Sequence, residues 1–186
     1  YLRLGVEHLL YGFDHILFVI SLTFFARSPV RLIQTVTSFT LAHSVTLALS
    51  TLNLIRLSQA PVEAVIALSI VYIAAELLRP PRQRSTLTMH RPWLVSFAFG
   101  LLHGFGFAGA LHEIGLPSDS LAQALFLFNV GVEIGQIVIV AGLLALTWSV
   151  SRTHLAIPAW AMRAPLYAIG ATSSYWLIDR LAKLGT

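Results

Sequence analysis

The chain has no cysteine and little charge: of its 186 residues only 11% are Asp, Glu, Lys or Arg, against about 25% in an ordinary soluble domain. Without cysteine, disulfides, thiolate metal sites and cysteine nucleophiles are excluded, so a bound metal would be held by imidazole, carboxylate or other oxygen ligands. Twelve Lys and Arg with eight Asp and Glu cannot coat the surface that a chain 56% hydrophobic, with a mean hydropathy of +0.78, would turn to water. A soluble globular domain is thereby excluded, and a lipid bilayer is the expected solvent. The formal net charge of +4 and the isoelectric point near 10.0 do not indicate nucleic acid. The basic residues are scattered one to four at a time between apolar runs, and no basic stripe with interleaved aromatics follows a phosphate backbone. Also missing are the nucleotide-binding pattern GxxxxGK[ST] and the zinc-protease pattern H-E-x-x-H. Residue 1 is Tyr, with no initiator Met and no signal peptide before it, so the expectation is a processed or truncated chain, the C-terminal part of a longer precursor.

What is present is a series of apolar stretches. A bilayer core takes about 20 mostly apolar residues per helix, and six such stretches are expected at 5–26, 33–52, 60–78, 93–113, 119–148 and 163–182. The breaks carry Pro29, Pro61, Pro80, Pro81, Pro92, Pro117, Pro158 and Pro165, each expected at or near a helix boundary, where a missing N–H costs least. The fold class is therefore all-α: one polytopic domain over residues 1–186, a bundle of about six transmembrane helices. The fifth stretch is longer than a membrane requires and must tilt, kink near Gly131, Gly135 or Gly142, or emerge into water. Lys and Arg set the orientation. Loops one, three and five hold eight of them (Arg27, Arg31, Arg79, Arg82, Arg84, Arg91, Arg152 and Arg163) against four on the other side (Arg3, Arg56, Arg180 and Lys183). The odd loops are thus expected in the cytoplasm and both termini outside, in a membrane of the bacterial inner-membrane type.

Charged groups at membrane depth cost from about 2.5 to more than 10 kcal/mol, so each one inside a span is a functional hypothesis. The first stretch concentrates them in an H-x5-D-H pattern formed by His8, Asp14 and His15. Seven residues return to nearly the same helical azimuth, and Gly12 lies between the two histidines with no side chain to block an approach. Two imidazoles and a carboxylate facing inward make a plausible half of a metal site, because neutral imidazole suits Ni, Co, Cu or Zn. Glu7 forms a second seven-residue pair with Asp14. The second stretch adds His43 and Ser44, and the fourth adds His103 within a run containing Gly100, Gly104 and Gly106, small residues that permit close helix contact or a substrate path. On the fifth, Asn129, Glu133 and Gln136 share one polar stripe able to hydrogen-bond the imidazoles or accept a cation. Glu63 opens the third stretch, as a helix-dipole partner or a functional carboxylate. Glu76, His90, His112, Glu113, Asp119, His154 and Asp179 fall near stretch ends or loops and are expected to be solvated or interfacial. Any one of His43, Asn129 or Gln136 taken alone reads equally as hydrogen-bonding glue between helices.

Four segments together resemble the HupE/UreJ family of small membrane proteins: His8-x5-Asp14-His15, Leu41-Ala42-His43-Ser44, His103-Gly104-x-Gly106-Phe107 and Asn129-x-Gly131-x-Glu133-x-Gly135-Gln136. The resemblance runs from about residue 5 to 145. It implies nickel or cobalt uptake, often beside hydrogenase or urease genes, with His8, Asp14 and His15 as the metal-handling residues. Family members with the best-supported role carry a later F-H-G-x-A-H-G-x-E segment. Here His103 and Gly104 are followed by Phe105, Gly106, Phe107 and Ala108, so the second histidine is absent. The chain is closer to a second HupE/UreJ-like group, whose members often follow a secreted N-terminal region.

The leading expectation is a permease or diffusion facilitator for a divalent transition metal. His8, Asp14 and His15 would replace water ligands, His43 and His103 would complete or relay the site, and Glu133 would balance charge. The ion is Ni, Co or Zn. The other candidate partners are the bilayer, a second copy of the chain and an extracytoplasmic domain upstream. Binding should weaken with falling pH, since imidazole ligands must be deprotonated. Two rivals remain: an intramembrane zinc hydrolase using the same His, Asp and Ser44 cluster, and a structural subunit whose histidines only join helices.

Overall fold

The computed structural model describes residues 1–25, 28–114, 120–153 and 158–184, without the side chains of 86, 108–114 and 159. His112, Glu113, Asp119 and His154, expected to be interfacial, lie outside the described residues and side chains. Every expected apolar stretch is helical: α1 (Leu2–Tyr11) and α2 (Phe13–Phe25), α3 (Pro29–Thr51), α4 (Gln59–Leu78), α6 (Pro92–Ile114), α7 (Leu121–Arg152) and α8 (Ala159–Lys183). A short α5 (Thr86–His90), preceded by a 3₁₀ turn at Pro81–Gln83, occupies the third loop.

Local chemistry sets most boundaries. Ser28 caps α3 by accepting the Arg31 N–H at 3.3 Å, with Pro29 in the first turn where its missing N–H has no intrahelical partner to lose. At the other end Asn53 turns left-handed (φ 58°), so that its N–H reaches the Ser50 carbonyl and that of Leu54 the Leu49 carbonyl, closing α3 in a Schellman motif. Pro165 departs from expectation: it lies inside α8 rather than at its start. Because it is within two turns of the N-terminus, it removes one hydrogen bond and leaves the long remainder of the helix intact. α7 runs unbroken for 32 residues, a rise of about 48 Å that exceeds the roughly 30 Å hydrocarbon core.

The largest correction concerns the first span. It is not one rod, because α1 and α2 meet at Gly12 with a bend of 80°. Glycine fits the corner for want of space: a Cβ there would come within 2.8 Å of His15 Nδ1 and 2.9 Å of the His8 carbonyl oxygen. Among the described residues, three helices (α3, α4 and α7) are long and apolar enough to cross a membrane, and a fourth span results if α1 and α2 count as one broken crossing. The apolar part of α6 is shorter, from Pro92 to Phe107.

Packing follows small residues. α3 lies along α6, α4 along α8, and α1 along α7. A Cβ on Gly104 of α6 would overlap Thr46 Oγ1 and the His43 carbonyl of α3, and one on Gly5 of α1 would overlap the Phe128 carbonyl of α7, so these backbones touch directly. Two apolar clusters result, one around Phe18, Leu22, Phe39, Ile70 and Ile73, the other around Leu9, Leu47, Phe128 and Val132. Lipid is as apolar as leucine, so within a membrane these clusters contribute close van der Waals packing rather than water exclusion. Outward faces are apolar as well, with Val30, Ile33, Leu41 and Val45 on α3 and Ile137, Val138, Leu144 and Leu146 on α7 exposed, a surface suited to lipid.

Candidate metal centre

The bend at Gly12 brings the H-x5-D-H residues together. In a straight helix His8 and His15 would stand about 10 Å apart along the axis; across the corner their ring centroids are 4.6 Å apart. α3 delivers His43, 6.1 Å from the His8 ring and 6.0 Å from that of His15, and α6 delivers His103, 5.1 Å from His15. The four rings sit where the two apolar clusters meet. Phe18 and Phe39 flank His103, each at 5.1 Å, and Phe107 lies 3.7 Å from His8.

Each ring's orientation can be read from its Nδ1. The His103 Nδ1–H donates to the Phe99 carbonyl at 2.8 Å, and a carbonyl only accepts. Asn129 donates its Nδ2 to the Leu125 carbonyl at 2.8 Å, which turns its Oδ1 toward His43 Nδ1 at 3.2 Å and makes that nitrogen the donor as well. The Asp14 carboxylate stands 3.2 Å from His15 Nδ1, and its Oδ1 also accepts the His15 backbone N–H at 3.0 Å. In three of the four histidines the Nδ1 proton is thus held by an oxygen, leaving the Nε2 lone pair free, the arrangement that orients metal-binding imidazoles. The Nε2 atoms of His8, His15, His43 and His103 are all buried, with no hydrogen-bond partner among the described residues. Buried polar atoms in folded proteins are nearly always satisfied, so four orphans on neighbouring rings point to a ligand. One donor nitrogen from each of His8, His15 and His43 falls within 4.8 Å of the other two. Donors sharing one ion at about 2.0–2.1 Å stand roughly 3–4 Å apart, a small contraction from what is seen.

The remaining candidates divide. Asp14 stands beside His15, in contact with both its ring and its backbone N–H. Glu7 is engaged by Arg3 at 2.7 Å. Gln136 accepts from Thr40 at 3.0 Å, and Glu133 accepts from Thr37 at 2.6 Å while its second oxygen is buried without a partner. Both therefore belong to an α3–α7 polar seam, which borders a cavity of about 410 Å³ lined by Thr37, Ser44, Asn129 and Glu133 among others. Ser44 donates to the Thr40 carbonyl at 2.6 Å, which commits its hydroxyl proton away from His43. Glu63 pairs with Arg180 of α8 at 3.1 Å. A second cavity, of about 300 Å³, is lined by His8, Asp14, His15 and His103 together with Glu63 and Arg180. Phe107 was legible as the i+4 neighbour of His103 on the same helix face; Arg180 and its neighbour Trp176 carried no sequence signal.

Glu76 overturns the expectation of a solvated helix end. It is 1% exposed and accepts from Arg79 Nη1 at 3.0 Å, Thr88 Oγ1 at 3.0 Å and the Ser85 backbone N–H. The third loop folds back over the end of α4, and this carboxylate is what it folds around. Asp179, by contrast, is surface-paired with Lys183 at 2.7 Å.

The helices and their exposed apolar faces define a polytopic membrane protein with a histidine cluster in its interior. Residues 1–180 match the model of the HupE / UreJ protein family, and the chain belongs to that family, one associated with nickel and cobalt transport. No curated protein and no solved structure matches the chain.

Proposed function

We propose that the chain is a permease or facilitator for a divalent transition metal, nickel or cobalt, with His8, His15, His43 and His103 as the ligands that replace the ion's water. The observation carrying this reading is the set of four buried Nε2 atoms without partners. Family membership supports the same substrate class. An all-imidazole set suits these borderline ions, and the lack of thiolate leaves binding weak enough for release, as conduction requires. Asp14 and Asn129 act as positioning residues through His15 and His43, and Glu133 offers negative charge in the α3–α7 seam. The inner bacterial-type membrane, with both termini outside and the Arg-rich odd loops inside, is the proposed setting.

The test is nickel or cobalt accumulation in cells expressing the chain against the His8→Ala, His15→Ala double variant. Loss of accumulation at equal membrane abundance supports the reading, and unchanged accumulation overturns it. Because the chain has no cysteine, single cysteines introduced at Arg56 and Arg82 report sidedness by labelling. Label reaching position 56 but not 82 from outside supports the proposed orientation, and the reverse overturns it.

A further inference from the structure

The Glu63–Arg180 pair spans two helices 117 residues apart in sequence, and it is not remote from the histidines. Both residues line the cavity that also holds His8, Asp14, His15 and His103, and both line a small adjoining recess with Asp14 and Trp176. Among the described residues this vestibule therefore contains two carboxylates and one guanidinium. Two carboxylates neutralise one dication, so Arg180 occupies charge that an arriving ion would otherwise use. The pair is also open to exchange: the Arg180 and Glu63 side chains are 28% and 39% exposed, and ion pairs so exposed are weak. A second seat is at hand, for the Arg180 guanidinium carbon lies 5.8 Å from the centroid of the Trp176 ring, within cation–π range.

We propose that Arg180 is a tethered competitor at the mouth of the histidine site. At rest it neutralises Glu63. An incoming divalent cation takes Glu63 and Asp14 as its outer carboxylates, while the guanidinium moves onto Trp176. Arg180 thus sets the concentration at which metal is admitted, and Glu63 gathers the ion. This rests on the transport reading above, and it assigns Glu63 and Arg180 a role in affinity rather than in joining α4 to α8.

The experiment measures the concentration dependence of Ni²⁺ and Co²⁺ uptake by the full chain in proteoliposomes, with the thermal unfolding midpoint of each variant. Arg180→Gln should lower KM about tenfold, as expected when a positive charge is removed from a partly screened vestibule, with little change in maximal rate. Glu63→Gln should raise KM, and Arg180→Lys should stay near the wild type because the charge remains. If Arg180→Gln lowers the unfolding midpoint and the maximal rate while KM stays fixed, the pair is a structural staple and the proposal is overturned. Should that variant fail to fold, Trp176→Leu decides: removing the second seat raises KM if Arg180 must move, and an unchanged KM overturns the proposal. Absence of uptake by the wild-type chain would instead overturn the transport reading, and this inference with it.

Discussion

Glu76 and the histidine cluster are both buried polar sites in an apolar chain, yet they are built in opposite ways. Around Glu76 three donors from three residues converge, and one of them, Arg79, brings a compensating charge. Around the histidines each inner nitrogen is left without a partner among the described residues, while the outer nitrogens of His15, His43 and His103 are anchored. A buried charge that is satisfied by its own chain holds that chain together. A set of oriented lone pairs with no partner among the described residues leaves room for a ligand.

Four variants sharpen this contrast. His8→Ala with His15→Ala should reduce metal accumulation to background at unchanged membrane abundance; accumulation and quantified membrane protein check the two halves. Glu76→Ala should do the reverse, costing about 1–3 kcal/mol by leaving the Ser85 N–H and the Thr88 hydroxyl without their acceptor, as read from detergent unfolding curves, with the metal affinity of the folded fraction unchanged. Asn129→Ala should weaken metal binding about 10–100-fold by freeing the His43 ring to take the other tautomer, with Asn129→Asp restoring much of the loss; a calorimetric titration with Ni²⁺ follows it. Gly104→Ala should cost about 1–3 kcal/mol of stability, since the added methyl would meet the His43 backbone carbonyl and must push α6 away from α3. That shift also moves His103 relative to His43, so a modest affinity loss should accompany it.

Helices were legible because their signals are local. Apolar run length and the Pro and Ser breaks placed α3, α4, α6, α7 and α8 to within a few residues. The corner at Gly12 was not, because the heptad spacing of His8 and His15 is equally good in a straight helix, and nothing nearby in sequence shows that the chain turns. Histidines 43 and 103 were legible as misplaced polar groups, but their convergence on the first pair depends on α3 packing along α6, which the weak amphipathicity of membrane helices does not encode. Glu76 was misread since proximity to an Arg-rich loop suggested water, whereas that loop folds back and brings its own donors. Arg180 was read only as one of four basic residues on the outer side: charge count locates a residue relative to a membrane, and says nothing of a partner 117 positions away.

The corner between α1 and α2 also decides how the histidine cluster is assembled. His8 belongs to the unit formed by α1 and α7, and His43 and His103 to the unit formed by α3 and α6, each unit locked by backbone contact at a glycine. His15 alone rides on α2, joined to α1 through Gly12. α2 is itself packed into the bundle, with Phe18, Leu22 and Phe25 buried against Phe39 of α3 and Ile70 and Ile73 of α4, so His15 is fixed both by the corner and by the core. Four ring nitrogens are thus gathered from three separately packed parts of the fold, and a single residue, Gly12, sets where the nitrogen from α2 stands relative to the one from α1.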